Sequence, residues 1–193
     1  MDLLKQKILK EGRVIGDGVL KVDGFLNHQI DVDLVYKMGE DIYEHFKDKN
    51  VTKILTIEAS GIGLACMAAL FFKCKVLYAK KSATTNLGNS DLYTSHAFSF
   101  THQTQNTVLI SKKYLEKGEN VLIIDDFLAH GEATNALMDL VKQAGANLVG
   151  VSVAIEKGFQ GGGDKIRERG IDLYSLAVID KMNEQEGITF RNI

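Results

Sequence analysis

The chain has 193 residues, of which 45% are hydrophobic and 25% are charged. This balance is typical of one globular domain with a substantial core, and it argues against a disordered or fibrous protein. The formal net charge of -2 argues against a nucleic-acid-binding coat, because neutralising phosphates requires a basic face.

The first predicted elements are a helix over 3–10, an irregular or extended segment over 14–22, and a second helix that begins near Asp33. In the second helix the apolar residues recur every four positions, which is the spacing of one buried face. Asp31 or Asp33 would suit its N-terminus, where a carboxylate accepts bonds from free backbone amides.

From residue 53 onward, short apolar runs alternate with helical segments. The runs predicted as strands are 53–57, 75–78, 121–124, 148–155 and 173–178. The segments predicted as helices are 64–72, 164–169, and one that follows the loop after residue 131 and ends near 145. Strands that alternate with helices imply parallel pairing in a sheet covered on its faces. The sequence therefore predicts a single α/β domain.

The segment 81–113 departs from this rhythm. Residues 82–95 are rich in Ser, Thr and Asn and are predicted to form a long polar loop, while 97–100 and 107–111 are predicted to form a hairpin. Long loops inside a compact domain usually cover a functional site or are disordered. We favour a lid over a merely disordered excursion.

The strongest functional signal is the segment Val121–Thr134, which reads VLIIDDFLAHGEAT. Its apolar run predicts a buried strand that delivers Asp125 and Asp126 to the carboxyl edge of the sheet, where α/β proteins bind ligands. The loop that follows opens a helix, whose free amides and dipole suit a phosphate dianion. Carboxylates instead suit sugar hydroxyls, which donate hydrogen bonds. The pattern predicts a phosphorylated ribose; the alternative is a helix cap and a surface charge.

Two other phosphate-binding patterns are absent from this segment. A P-loop ends in Gly-Lys-Ser/Thr, which the chain lacks here, and a Rossmann fingerprint needs several glycines where Gly131 stands alone.

The same segment resembles the PRPP-binding signature of the type I phosphoribosyltransferases, which transfer ribose 5-phosphate from 5-phosphoribosyl 1-diphosphate (PRPP) to a nitrogenous base. The resemblance extends over the whole chain, and 19–30, 56–62, 141–146 and 154–160 look like members that use xanthine. It implies one domain over 1–193 with a mostly parallel central sheet flanked by helices. It also implies a small hood, made by about 1–35 and the C-terminal part, and a flexible lid loop at about 81–113.

Carried over position by position, the resemblance implies three groups of site residues. The implied catalytic group comprises Asp125 and Asp126, on the ribose hydroxyls, and Lys81. The implied PRPP-binding group comprises Glu58, Ala59, Ser60 and Gly61 at the diphosphate, and Ala129, His130, Gly131, Glu132 and Ala133 at the 5-phosphate. The implied xanthine-binding group comprises Leu20, Asn27 and Lys157, with Phe159 stacking on the purine. His130 stands where we expect asparagine in close relatives, so we assign it no catalytic role.

Lys80 and Lys81 lie at the mouth of the polar loop. They are candidates to fold over the diphosphate during the reaction and to keep water from the reactive sugar. The alternative is a pair of solvated surface charges.

The implied reaction converts PRPP and xanthine into XMP and diphosphate in purine salvage. Mg²⁺ is expected, bound mainly through PRPP with no ligand directly from the protein, and a homodimer is expected. Guanine or hypoxanthine stay open as the base, because the three purines differ at one exocyclic position. A second hypothesis is a PRPP-sensing regulator of the same fold, which would need a basic face for DNA. A generic nucleotide-binding module would explain the strands but not the paired acids.

The cellular setting is also an expectation. The N-terminus has no continuous apolar stretch of the signal-peptide kind, and no apolar run approaches a membrane span. Cys66 and Cys74 suit reduced thiols better than a disulfide framework. We expect a cytoplasmic protein without a membrane or nucleic-acid partner.

Overall fold

The computed structural model describes residues 1–16, 18–82, 91–99 and 104–191. Its helices are α1 (Asp2–Glu11), α2 (Val32–Phe46), α3 (Gly61–Phe72), α4 (Glu132–Gln143) and α5 (Gly162–Glu168). Its strands are β1 (Arg13–Ile15), β2 (Val19–Lys21), β3 (Lys53–Ile57), β4 (Lys75–Ser82), β5 (Leu92–Ser99), β6 (Thr104–Ser111), β7 (Asn120–Leu128), β8 (Asn147–Lys157), β9 (Leu173–Asn183) and β10 (Gly187–Phe190). None of the helices within these ranges is long and apolar enough to cross a membrane.

Eight strands form one sheet in the order β10-β9-β8-β7-β3-β4-β6-β5. The five strands from β9 to β4 run parallel to one another, and β10, β6 and β5 are antiparallel additions at the two margins. The prediction of a mostly parallel sheet is confirmed. Strands β1 and β2 form a separate antiparallel hairpin.

Helices cover both faces of the sheet. On one face α1, α2 and α3 pack with residues such as Ile8, Met38 and Ala65 in a buried cluster. On the other face α4 contributes Leu137 and Leu140 to a second cluster. The buried face of α2 has the predicted four-residue spacing. Asp31 caps this helix by accepting a hydrogen bond from the amide of residue 34 at 3.1 Å.

The described residues of the segment 81–113 contain more strand than its composition predicts. Residues 92–95, predicted as loop, belong to β5, and β4 continues through Ser82. Strand β5 pairs with β6 residue by residue, from Leu92 with Ser111 to Ser99 with Thr104. The hairpin is confirmed but longer than predicted, because cross-strand pairing outweighs the weak strand propensity of Ser and Asn. The remainder of the predicted loop, 83–90, and the hairpin tip, 100–103, lie outside the described residues.

Candidate active site

The carboxyl ends of the parallel strands bring the predicted segments to one edge of the sheet. A cavity of about 530 Å³ opens there. Its wall combines residues from four regions of the chain: the β1–β2 turn, the β4–β6 strands, the β7–α4 loop and the end of β8. These residues are Gly18, Val19, Lys81, Ala97, Asn106, Val108, Phe127, Leu128, Ala129, His130, Gly131, Glu132, Ala133, Thr134, Lys157 and Gln160.

The loop between β7 and α4 forms the cavity wall with its backbone. Gly131 is the N-cap of α4 and has φ of 90°, a left-handed conformation that glycine adopts without steric cost. No side chain caps this helix, and its first carbonyl bond runs from the amide of Asn135 to Gly131 at 2.8 Å. The amides of 132–134 precede that bond and are the groups that helices leave unpaired at their start. All five residues predicted to hold the 5-phosphate, 129–133, therefore lie together on the wall.

The two acids lie behind the wall. Asp125 is 4% exposed and Asp126 is 9% exposed, and the amide of Asp126 donates to Oδ1 of Asp125 at 2.9 Å. Burial raises the pKa of Asp125 well above its usual value, and the neighbouring Asp126 carboxylate raises it further, while Lys81 acts in the opposite direction. Two buried carboxylates side by side form a site that a cation or several hydroxyl donors would stabilise.

The turn predicted to bind diphosphate lies between β3 and α3 and contacts both β4 and Asp125. Glu58 donates its amide to Ala79 at 3.0 Å, and its Oε1 accepts the amide of Lys81 at 2.7 Å. The Glu58–Ala59 peptide is cis. At Gly61, where α3 begins, an added Cβ would lie 2.8 Å from Oδ1 of Asp125. Glu58, Ala59, Ser60 and Gly61 thus adjoin the acids but do not form the wall of the cavity.

The two adjacent lysines of β4 lie on different surfaces. Lys81 is on the wall of the active-site cavity, whereas Lys80 lines a second cavity of about 470 Å³ with Tyr78 and Tyr114. Successive side chains of a strand point to opposite faces of the sheet. The structure therefore corrects the prediction that both lysines fold over the same diphosphate, and it leaves Lys81 at the site.

Of the residues predicted to contact the base, only Lys157 is on the cavity wall. Its Nζ donates to the carbonyl of Gly18 at 2.7 Å and lies 5.6 Å from the ring centre of Phe127. Burial lowers the pKa of this ammonium. It remains a strong donor that faces the cavity.

The other three predicted base contacts lie outside the wall. Leu20 is 6% exposed and belongs to the core cluster beneath β2, while its neighbour Val19 lines the cavity. Asn27 is exposed at the end of a single π-helical turn, and Phe159 is 40% exposed. None of these three side chains lies on the cavity wall that carries Lys157.

Several site residues escaped the sequence interpretation. Gln160 and Asn106 lie on the wall, and so does Thr134, which the motif included but to which no role was given. Within the described part of the chain, Thr56 Oγ1 and Gln160 Oε1 are buried oxygens without a hydrogen-bond partner. Buried polar atoms are normally paired, so such atoms at a site are candidates for ligand contact. No local sequence pattern marks Gln160 or Asn106, because only the fold brings them to the cavity wall.

A protein-only metal site is not evident in the ranges that the structure describes. No group of three or more His, Cys, Asp and Glu side chains is arranged there to hold a metal ion.

Comparison with known proteins gives the family. A model described as phosphoribosyl transferase domain matches residues 21–175. The chain is 55% identical over 182 residues to a protein of Ruminiclostridium cellulolyticum named xanthine phosphoribosyltransferase, covering 94% of this chain and 95% of that one. It is 52% identical over 194 residues to a protein of the same name from Bifidobacterium animalis subsp. lactis, covering 100% of both.

Solved structures give the same fold at lower sequence identity. The adenine phosphoribosyltransferase of Giardia lamblia, complexed with 9-deazaadenine, has a TM-score of 0.73 at 22% identity and covers 91% of this chain and 96% of that one. The Trypanosoma brucei enzyme, in complex with AMP, pyrophosphate and ribose-5-phosphate, has a TM-score of 0.72 at 19% identity and covers 91% and 79%. The predicted type I fold is confirmed, and the chain belongs to the phosphoribosyltransferase domain family.

Proposed function

We propose that this protein transfers the 5-phosphoribosyl group of PRPP to xanthine, forming XMP and diphosphate in purine salvage. One observation carries the proposal: a single cavity runs from the amides at the start of α4 to the ammonium of Lys157, with Asp125 and Asp126 just behind it. A phosphate at one end and a purine at the other match the two substrates. The name shared by relatives that align along nearly the full chain supports xanthine as the base.

The 5-phosphate would bind at residues 129–133. Amides at a helix start complement a dianion without any charged side chain, and Thr134, 1% exposed on the same wall, adds a hydroxyl donor. The side chain at position 130 could then vary, because the backbone of the loop would make the contacts to phosphate.

The ribose hydroxyls would donate to Asp125 and Asp126. A Mg²⁺ that enters bound to PRPP oxygens would fit beside these acids without a direct protein ligand, because its charge would offset two adjacent buried carboxylates. When bound, Mg²⁺ supplies charge neutralisation of the departing diphosphate. The turn from Glu58 to Gly61 adjoins Asp125 and would hold the diphosphate with its amides.

The chain itself would contribute orientation rather than a covalent nucleophile. Departure of diphosphate builds positive charge on the ribose C1, and the acids nearby stabilise that charge. Holding the purine nitrogen in line with C1 supplies much of the rate. Lys157 would donate to a ring oxygen of the base.

We further propose that 81–113 closes over the cavity as a lid and that 1–35 forms part of a hood. Closing the hood would be needed to bring Leu20, Asn27 and Phe159 toward the base. Lys81 would then contact the diphosphate while the lid excludes water.

The test is an assay of diphosphate release with PRPP and each purine separately. We expect the largest kcat/KM with xanthine. A preference for guanine or hypoxanthine would overturn the base while sparing the phosphoribosyl transfer. No turnover with any of the three, together with a PRPP-dependent DNA mobility shift at low salt, would favour the regulator instead.

We also propose a homodimer. Helix α3 carries apolar side chains outward: Leu70 is 62% exposed, and Phe71 packs beside Tyr36 with ring centres 5.0 Å apart. Exposed apolar patches of this kind are typical of subunit interfaces. Leu70→Asp should give a monomer by light scattering, whereas the equally exposed Leu9 (60%) should tolerate aspartate; a dimer in both would contradict this interface.

A cytoplasmic location remains our proposal. Both Cys66 and Cys74 are unpaired thiols, which suits a reducing compartment.

A further inference from the structure

A short helix behind the 5-phosphate loop is in direct contact with it. The amide of Gly162, the first residue of α5, donates to the carbonyl of Ala129 at 3.2 Å. The contact is so close that a Cβ on Gly162 would overlap that carbonyl and would lie 2.6 Å from the carbonyl carbon of His130. Any shift of α5 would therefore move the loop.

Helix α5 is held in place by a fully buried carboxylate. Glu156 is 0% exposed and accepts two hydrogen bonds from the guanidinium of Arg167, at 2.9 and 2.6 Å. Ser175 Oγ also donates to Glu156. A Cβ on Gly163 would overlap the Glu156 carboxylate, so the helix lies directly against the acid.

The same carboxylate lies beside the end of β7. In the sheet register Glu156 is opposite Leu128, the last residue before the loop, and opposite Val178 on the other side. Glu156 thus connects the strand that leads into the loop with the helix behind the loop.

Stability alone is a poor explanation for this ion pair. Burying the Glu156 carboxylate and most of the Arg167 side chain costs desolvation energy that their attraction roughly offsets, and apolar pairs of similar size are often as stable. A bidentate guanidinium–carboxylate contact does fix relative orientation, because its two bonds allow one geometry.

We propose that Glu156 and Arg167 are positioning residues for the 5-phosphate, an inference that rests on the proposed function. The ion pair fixes α5, and the glycine-rich start of α5 holds the backbone of 129–131 in the conformation that presents its amides. The pair acts through the loop and does not touch the substrate.

The first test compares Arg167→Lys with a control on the same helix, Lys165→Arg. Both substitutions exchange one cation for another, but Lys165 is exposed, whereas Arg167 forms the ion pair with Glu156. Partners that orient a binding group typically cost about 10–100-fold when replaced. We expect Arg167→Lys to raise both the KM for PRPP and the Kd for ribose 5-phosphate by about tenfold, with the KM for xanthine within about twofold. Lys165→Arg should change none of them.

Two further variants keep the test valid if Arg167→Lys fails to fold. Glu156→Gln combined with Arg167→Met removes both charges together, and Gly162→Ala leaves the ion pair intact but pushes on Ala129. Both should weaken ribose 5-phosphate binding, measured by calorimetry, in protein shown to be folded by circular dichroism. Unchanged binding in the folded variants, or equal rises in the KM for both substrates, would overturn the positioning role. Wild-type protein that binds ribose 5-phosphate but turns over no purine would instead refute the proposed reaction.

Discussion

One continuous segment makes the proposed 5-phosphate loop, whereas residues far apart in the chain make the proposed base side of the cavity. The loop follows β7 directly and offers backbone amides, so contacts to phosphate there would not depend on the identity of its side chains. On the base side, Lys157 at the end of β8 meets Gly18, which is 139 positions earlier. Backbone recognition is thus local and tolerant, while side-chain recognition depends on tertiary structure and on single residues. Substitutions on the phosphate side should therefore raise the KM for PRPP, and substitutions on the base side should raise the KM for xanthine.

The largest effect is expected at Asp125 and Asp126, because they are proposed to bind the ribose that lies between the phosphate and the base. Asp125→Asn combined with Asp126→Asn removes the proposed acceptors of the ribose hydroxyls and the charge that stabilises C1. We expect kcat/KM to fall by about 10³-fold with each substrate, measured as diphosphate release. Asp139→Asn, on the exposed side of α4, is the control and should leave kcat/KM unchanged. A loss below tenfold in the double variant would contradict the role of the acids.

A base-side substitution should act on one substrate only. Lys157→Met removes the donor that faces the purine but keeps much of the packing against Phe127. The KM for xanthine should rise at least about tenfold while the KM for PRPP stays within about twofold, as expected for loss of one specific hydrogen bond. Lys165→Met, on the exposed side of α5, is the control. Equal increases in both KM values would show that the two sides are not independent.

The two lysines of β4 give a sharper comparison at adjacent positions. Lys81→Ala should lower kcat by about 10- to 100-fold, because a charge-assisted contact to diphosphate is worth about 1.5–3 kcal/mol. Lys80→Ala should leave kcat within about twofold, because its side chain lines the other cavity. Single-turnover kinetics with saturating PRPP would measure both; a larger effect from Lys80→Ala would refute this division.

The smallest expected effect concerns stability. The pKa of Asp125 is raised in the folded protein by burial and by Asp126, so the folded state binds a proton more tightly than the unfolded chain. The stability from this proton is present below the usual carboxyl pKa and is lost as pH rises through the raised value. Asp125→Asn should therefore stabilise the ligand-free protein at pH 7 by on the order of 1 kcal/mol.

Urea unfolding at a series of pH values would measure that gain. It should shrink to nothing near pH 4, where Asp125 is protonated in the folded state and increasingly so in the unfolded chain. A gain that is constant from pH 4 to pH 8 would show that the effect is not electrostatic. The exposed Asp139→Asn variant should show no such pH dependence.

The features that the sequence predicts are those made by local segments, and the features it misses depend on residues that tertiary structure brings together. Alternation of apolar runs with helical periodicity predicted the parallel core, and the contiguous Val121–Thr134 segment predicted the strand, loop and helix start that form one wall of the cavity. The strands of the 81–113 segment were only partly predicted, because pairing between β5 and β6 is a tertiary effect on a polar composition. Gln160 and Asn106 carry no local signal, since they reach the wall only through the chain's path across the sheet.

The last two residues of β8, Glu156 and Lys157, have consequences for how base preference can change. Glu156 lies against α5 and Lys157 faces the cavity, so a backbone adjustment that re-aims the lysine also disturbs the carboxylate. This strand end offers little freedom for evolving or engineering a new purine specificity. The β1–β2 hairpin lies outside the main sheet, so its Val19 offers more freedom for redesign, whereas Gly18 is coupled to the strand end by the hydrogen bond from Lys157.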